Sequence, residues 1–289
     1  MIHAPASGYR KARARRDVIF RALCLISAIV GVLLLVALLY GILRDGAGRL
    51  NWAFLNNYAS FRADQAGFKA AIWGSVWLIG LTGVIAVPVG VAAAIYLEEF
   101  AKKNRLNTFI QLNIANLAGV PSIVYGLLGL AVFVRAMMFE RTLIAGALTM
   151  SLLILPMIII TTQEALRTVP KSLREGSLAL GATPWQTVVK QVVPAALPGI
   201  LTGIILSLSR AMGETAPMVT IGALTFVRFT PTGLNSEFTA MPIQIFNWAS
   251  RPRVEFHQVA AAGIIVLLAV LLTMNLVAIL LRNKFQRRF

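Results

Sequence analysis

Apolar residues run along this chain in long blocks without polar alternation, which fits neither an amphipathic surface helix nor a half-buried strand. Five blocks carry no charged residue at all: 22–43, 70–97, 106–134, 142–163 and 258–281. Each is long enough for the roughly 20 residues a helix needs to cross a hydrocarbon core, where every backbone N–H and C=O must find its partner within the segment. A sixth block, 195–226, is equally apolar except for Arg210 and Glu214. The pattern predicts an all-α polytopic membrane protein with six transmembrane helices and both termini on one side. Its expected parts are a basic arm at 1–21, a first helix at 22–43, a five-helix unit at 70–281 and a basic tail at 282–289. No period of 20 to 50 residues recurs, and the loops are too short to hold a separate soluble domain.

Composition leads to the same class. With 58% hydrophobic residues, 13% charged and a mean hydropathy of +0.77, the chain has more apolar surface than a soluble core can hide. The 27 Lys and Arg against 11 Asp and Glu give a net charge of +16, a balance that in a soluble protein would point to nucleic acid. Here the charges sit at the ends of apolar blocks, and they orient the chain instead. Arg10, Lys11, Arg13, Arg15, Arg16 and Arg21 precede the first block, and Arg282, Lys284, Arg287 and Arg288 follow the last. Placing both termini in the cytoplasm also puts Lys102, Lys103, Arg105, Arg167, Lys171, Arg174 and Lys190 inside, for seventeen basic residues inside against nine outside. The first block has 22 uncharged residues, longer than a signal-peptide core, and the stretch from Tyr40 to Arg44 offers no small-x-small cleavage site, so it reads as a retained anchor. The single Cys24 allows no intrachain disulfide and reads as a small buried hydrophobe.

Much chemistry is missing. No G-x-x-x-x-G-K-[ST] loop is present, so work done by ATP would fall to a partner chain. The histidines are His3 on the arm and His257 beside a span, which leaves neither a His/Cys metal cluster nor a Ser/His/Asp triad at membrane depth.

The most specific pattern lies in the inward loop 164–194. Ser172-Leu173-Arg174-Glu175 has the form of a capping box, and a helix is expected to start there and end at Gly181, whose tolerance of positive φ suits a C-terminal cap. Thr183-Pro184-Trp185-Gln186 reads as a second start, with Thr at the N-cap, Pro at the first helical position and Gln at the third. Pro194 and Pro198 are expected to close this second helix before the fifth span. The result is an elbow of two short helices. Leu178, Leu180, Trp185, Val188 and Val189 are too apolar for a free cytoplasmic loop and imply a docking surface, whereas the plain alternative is a solvated loop packed on its own helix ends. A DNA-reading helix-turn-helix has a similar turn glycine, but tethering between two spans with Lys190 as the only base after the turn argues against it.

Glu175-Gly176-Ser177, three residues, Gly181, nine residues and Gln191-Val192-Val193-Pro194 resemble the EAA loop, E-A-A-x3-G-x9-I-x-L-P, of permease subunits in bacterial ABC importers. Gly176 and Ser177 replace the alanines, Gln191 the Ile and Val193 the Leu. Glu175, Gly181 and Pro194 keep their register. Asn113 to Gly126, Ser209 to Pro217 and Phe238 to Ile245 are further similar to the PstA family, permeases of the phosphate importer, a likeness that extends over most of 70–281. The resemblance implies a type I importer permease (MetI-like) fold in the bacterial inner membrane. It implies that residues 172–193 form the coupling helices seated in the ATPase, with Ser172, Glu175, Gly176, Ser177, Leu180, Gly181 and Pro194 as the coupling residues. It also implies the partners: a PstC-like second permease, a PstB-like ATPase dimer that holds ATP and Mg, and a PstS-like periplasmic phosphate-binding protein. No cofactor is implied in this chain, and no enzymatic activity.

Arg210 falls near the middle of the sixth block, where a lipid-facing charge costs about 2.5 to over 10 kcal/mol, so it is expected to face protein or water. Glu214, four residues on, is placed to neutralise it. The pair either fixes helix packing alone or serves transport. If phosphate passes here, a guanidinium holds two anionic oxygens at once better than an ammonium does. The expected pathway set is then Arg210 and Glu214, with Ser209 and Thr215 as added donors where Gly213 and Pro217 loosen the helix. Gly119-Val120-Pro121-Ser122 reads as a bend in the third span, and Pro88 and Pro156 as kinks; Asn113 and Asn116 are candidates to bond across helices. The outward loops at 46–69 and 227–254 are candidates to dock a binding protein, with Trp248 and Phe256 as alternative interfacial anchors. Rival readings are a passive anion channel or ion-coupled carrier, which would transport without the ATPase, a scaffold for phosphate sensing, and a permease for another oxyanion such as sulfate or molybdate.

Overall fold

The computed structural model describes residues 7–102, 104–223 and 226–285. His3, Arg287, Arg288, Lys103 and the side chains of Arg10, Lys11, Arg13, Arg15 and Lys284 lie outside the described residues. The described elements are helices joined by loops: α1 (Ser7–Gly46), α2 (Trp52–Asn56), α3 (Lys69–Ile95), α4 (Arg105–Ala118), α5 (Ser122–Gly129), α6 (Leu143–Arg167), α7 (Lys171–Ala179), α8 (Pro184–Thr187), α9 (Val193–Gly213), α10 (Ala216–Ile221), α11 (Met241–Ala249) and α12 (Val254–Phe285). Among the described residues the one extended pairing is an isolated bridge between Thr142 and Glu237. Five helices are long and apolar enough to cross a membrane, and a sixth span results if the bent α4–α5 pair is counted as one.

The centre of the bundle is α6. Two thirds of its most apolar window, 67%, is buried inside the protein against 0% for α1, so α6 is the helix that others pack around. Helix α3 lies along one side and α9 along another. Apolar contact alone gives helices little reason to associate in lipid, and close approach through small residues supplies it. The α3 face on α6 accordingly brings Gly90 against Ile158 and Leu155 and sets Leu78 beside Gly146, while Ser75 accepts from Met241 N of α11 at 2.8 Å. Three buried hydroxyls on α6 and α9 donate within their own helix, Thr149 to Ala145 O at 2.8 Å, Ser151 to Ala147 O at 2.7 Å and Ser207 to Gly203 O at 2.8 Å, whereas Thr82 of α3 donates across to Ala147 O at 3.5 Å and Thr162 of α6 meets no described partner.

The third apolar block is not a straight span. It breaks at Gly119–Pro121 into α4 and α5, which meet at 102°. Pro121 cannot continue the α4 hydrogen-bond ladder and disfavours helical backbone at Val120, which makes the bend sharp. Asn113 does not bridge helices: its amide donates to Phe109 O of its own helix at 2.8 Å, since the exposed α4 has no neighbour on that side. Helix α10 packs across α5, where Gly126 lies directly beneath Pro217 and Thr220. No side chain fits there. Pro88 and Pro156 both lie inside continuous helices.

At the end of the bundle away from the elbow, Trp248 and Phe256 are buried rather than interfacial, at 0% and 2% exposure. The connections around α2 and α11 fold back over the helix ends, so Trp248 packs on Phe54 and Phe68 with ring centroids 6.0 and 5.4 Å apart, and Arg251 covers Phe256 at 4.3 Å. Phe61 stacks on Phe226 at 4.4 Å, joining the two loops. Helix α1 meets α12 near its C-terminus, where Gly46 lies on the Ala261–Ala262 backbone, and exposes most of the rest of its described side chains. Cys24 is therefore exposed rather than buried, because the helix that carries it packs on little else.

Candidate functional site

Two polar constructions stand out, one at a helix break and one at the elbow. The sixth apolar block does not form one helix. Helix α9 ends at Gly213, Glu214 turns to extended backbone (φ −74°, ψ 126°), and α10 starts at Ala216. Gly213 and Pro217 thus bracket an outright break, and Arg210 occupies the last turn of α9 rather than the interior of an unbroken span. A cation is well placed there, among the unpaired carbonyls of a helix C-terminus.

The Arg210–Glu214 pair is present but loose. Arg210 Nε donates to Glu214 Oε1 at 3.3 Å, and Nη1 approaches Met157 Sδ at 3.2 Å. A guanidinium has five N–H donors. Among the described residues no other partner meets this one, and its side chain is 44% exposed in the isolated chain. Thr215 is half-buried beside the break, and its hydroxyl bonds no described residue. Ser209 points elsewhere: its hydroxyl is shared between Ile205 O and Asn275 Oδ1 of α12.

The elbow carries the better-made ion pairs. Helix α7 starts at Lys171, with Pro170 at its N-cap and no side-chain cap bond. Ser172 is therefore inside the first turn and forms no capping box with Glu175; the fixed φ of Pro170 (−58°) sets the helix start earlier. Glu175 is exposed and bonds no described residue. The exit is as expected. Gly181 adopts φ +85°, its N–H reaches Leu178 O at 2.9 Å and that of Ala182 reaches Ser177 O at 3.2 Å, which together make a Schellman cap. Thr183 and Gln186 form the reciprocal capping box that opens α8.

Pro194 and Pro198 do not close this helix. A wide turn with the Val193 N–H bonded to Val188 O links α8 directly to α9. Its i to i−5 register takes up Pro194, which lacks a donor and would clash with the carbonyl four residues back in an ordinary turn. The outer face of the elbow exposes Leu180 at 91% and Trp185 at 64%.

Sequence reasoning missed what holds the elbow in place. Helix α3 continues through a wide turn, Tyr96–Phe100, that carries Glu98 and Glu99. Arg174 reaches Glu99 with two N–H groups at 2.7 and 3.2 Å, and also donates to Val169 O at 2.7 Å and Leu166 O at 2.9 Å. Arg167 grips Glu98 the same way, at 2.8 and 3.0 Å. Ser177 and Thr187 join α7 to α8 at 3.0 Å, and Phe100 packs on Trp185 at 5.9 Å. One signal was available: Glu98 and Glu99 are the only adjacent acids among eleven, at the mouth of a loop otherwise counted for its bases.

At the opposite end, Arg49, Arg62, Asp64, Arg253, Glu255 and Phe256 line an open cavity of about 410 Å³. The Arg62 hydrogen bond holds the Asp64 carboxyl below its ordinary range, aided by the charges of Arg62 and Arg49 and opposed by partial desolvation.

A family model described as binding-protein-dependent transport system inner membrane component matches residues 86–289, well over half of the chain. The chain belongs to that family. It is a membrane subunit of an ABC importer. A probable ABC transporter permease protein, YqgI, of Bacillus subtilis (strain 168) is 34% identical over 241 residues, 83% of this chain and 82% of its own. The phosphate transport system permease protein PstA of Yersinia pestis is 32% identical over 92% of this chain and 90% of its own, and PstA 1 of Mycobacterium tuberculosis (strain CDC 1551 / Oshkosh) 36% identical over 77% and 72%. Among solved structures, a chain of a bacterial alginate ABC transporter in complex with an alginate pentasaccharide-bound periplasmic protein superposes with a TM-score of 0.67 at 17% identity, covering 92% of this chain and 94% of that one. A chain of the MetNI methionine ABC transporter, inward facing, gives 0.64 at 18%, covering 75% and 95%. These likenesses establish the MetI-like fold.

Proposed function

We propose that this chain is the permease subunit of an ATP-driven importer of inorganic phosphate, forming half of an alternating-access path whose other half is a PstC-like permease. The observation that carries the reading is the Arg210 guanidinium at a helix break, held by one long bond to Glu214 and a soft contact to Met157 Sδ, with its remaining N–H groups meeting no described residue. Such a fork suits a tetrahedral oxyanion, which accepts two parallel N–H bonds. In this reading Arg210 pairs with Glu214 when the path is closed and turns to phosphate when the helices part. Glu214 repels the anion and keeps its stay short, and Thr215 adds a donor. Relatives named as phosphate transport permeases support this choice of substrate over sulfate or molybdate.

The elbow is the coupling element in this account. Ser172, Glu175, Gly176, Ser177, Leu180 and Gly181, with Pro194 at its base, present α7 and α8 to a PstB-like ATPase dimer that binds ATP and Mg, and exposed Leu180 and Trp185 are the apolar anchors. Both termini then lie in the cytoplasm, and the opposite end of the bundle receives a PstS-like binding protein. Reconstitution of the four components in liposomes tests the whole. Uptake of radiolabelled phosphate that requires ATP and resists excess sulfate is expected; uptake without ATP, or sulfate carried equally well, would contradict it.

A further inference from the structure

The elbow is fastened to the bundle more firmly than a docking surface requires, and all the fasteners lead to one place. Arg174, from the middle of α7, joins three elements at once: the end of α3 through Glu99, and the last turn of α6 and the segment after it through the Leu166 and Val169 carbonyls. Two N–H groups on one carboxylate fix direction as well as distance, so this contact resists rotation of α7 and not only its separation. The side chains are 22% and 9% exposed, little screened by water. Arg167 repeats the fork from the end of α6 to Glu98, one residue before Glu99. Beneath these pairs Leu166, Val169, Val192, Ala196 and Ile200 form a separate apolar cluster. The wide turn at Tyr96–Phe100 ends the ladder of α3 where the acids project, with Ala101 N bonded to Tyr96 O at 2.9 Å.

From this we infer that the Glu98–Glu99 turn is the joint through which displacement of the elbow reaches α3 and α6, with Arg174 and Arg167 as positioning residues for transport. The inference rests on the proposed docking of the ATPase on the elbow and adds where the push is delivered. Without the Arg174–Glu99 fork α7 would tilt against the bundle while the ATPase turned over, and without the Arg167–Glu98 fork the end of α3 would part from α6. Helices α3 and α6 share the most extensive contact among the described elements, and α6 also bears Met157, which touches Arg210. A push taken up at the Glu98–Glu99 turn therefore has a packed route to the helix break.

The test uses the full reconstituted complex, with inorganic phosphate as the probe, and reads phosphate taken up per ATP hydrolysed. Glu99→Gln and Glu98→Gln are expected to lower that ratio about fivefold or more, the low end of coupling between sites, while the ATPase still co-purifies. The exchange Glu98→Arg with Arg167→Glu, on the pair whose side chains bond only each other among the described residues, is expected to recover most of the loss seen with Glu98→Arg alone. An unchanged ratio with the ATPase docked would overturn the joint and leave the docking reading standing. Loss of assembly in the single variants without recovery in the exchange would make these pairs ordinary packing, and would also overturn it. A Leu180→Asp control that retains the ATPase undiminished would sink the docking reading and the joint together.

Discussion

Arg174 and Arg210 meet carboxylates in opposite ways, and the difference follows from what surrounds each side chain. Arg174 is largely enclosed, doubly bonded to Glu99 and further bonded to two carbonyls, so four of its five N–H donors are already engaged. Arg210 has one bond of 3.3 Å to its carboxylate and an open face. A guanidinium meant only to steady a helix would gain from the first arrangement, while one that must release its partner needs the second. If Glu214 limits how long phosphate stays, Glu214→Gln is expected to lower KM and kcat together, by several-fold each, in uptake by the reconstituted complex. A raised KM with unchanged kcat would show that the carboxylate assists binding instead.

Among the elements, the elbow shows how far local chemistry specifies a shape. Gly181 and the Thr183–Gln186 box were legible because each answers a need of the backbone within four residues: a left-handed cap and two unpaired amides. Thr183→Ala is expected to cost about 1 kcal/mol of local stability and to speed amide exchange over 185–187 roughly fivefold. Gly181→Ala has a similar cost through its positive φ. Unchanged exchange in both variants would show that tertiary contacts alone hold the turn. Ser172 was misread because the sequence rule for a cap cannot see that Pro170 has already started the helix. Pro194 was misread because a widened turn takes up a proline that an ordinary turn would reject. The forks to Glu98 and Glu99 were out of reach for a different reason. They join positions 69 and 75 residues apart, and no local pattern reports such a pairing.

At the scale of the whole molecule, the apolar blocks announced the class, since lipid allows little besides closed helices. They did not announce the break at Glu214 or how sharply the third block bends, because hydropathy is blind to a change of direction. Nor did they show that Trp248 and Phe256 turn inward, which depends on loops folding over the helix ends. What emerges is a central α6 flanked by α3 and α9, with a clamped elbow at one end and a half-tethered arginine at the break. The claim on which this account most depends is that Arg210 handles the transported anion. The direct measurement is ATP-driven phosphate uptake by the reconstituted complex carrying Arg210→Lys, which keeps the charge but loses the fork. Assembly and ATPase docking should be retained while uptake falls at least about tenfold, the loss of one strong charge-assisted bond. Uptake at the rate of the unaltered complex would contradict it.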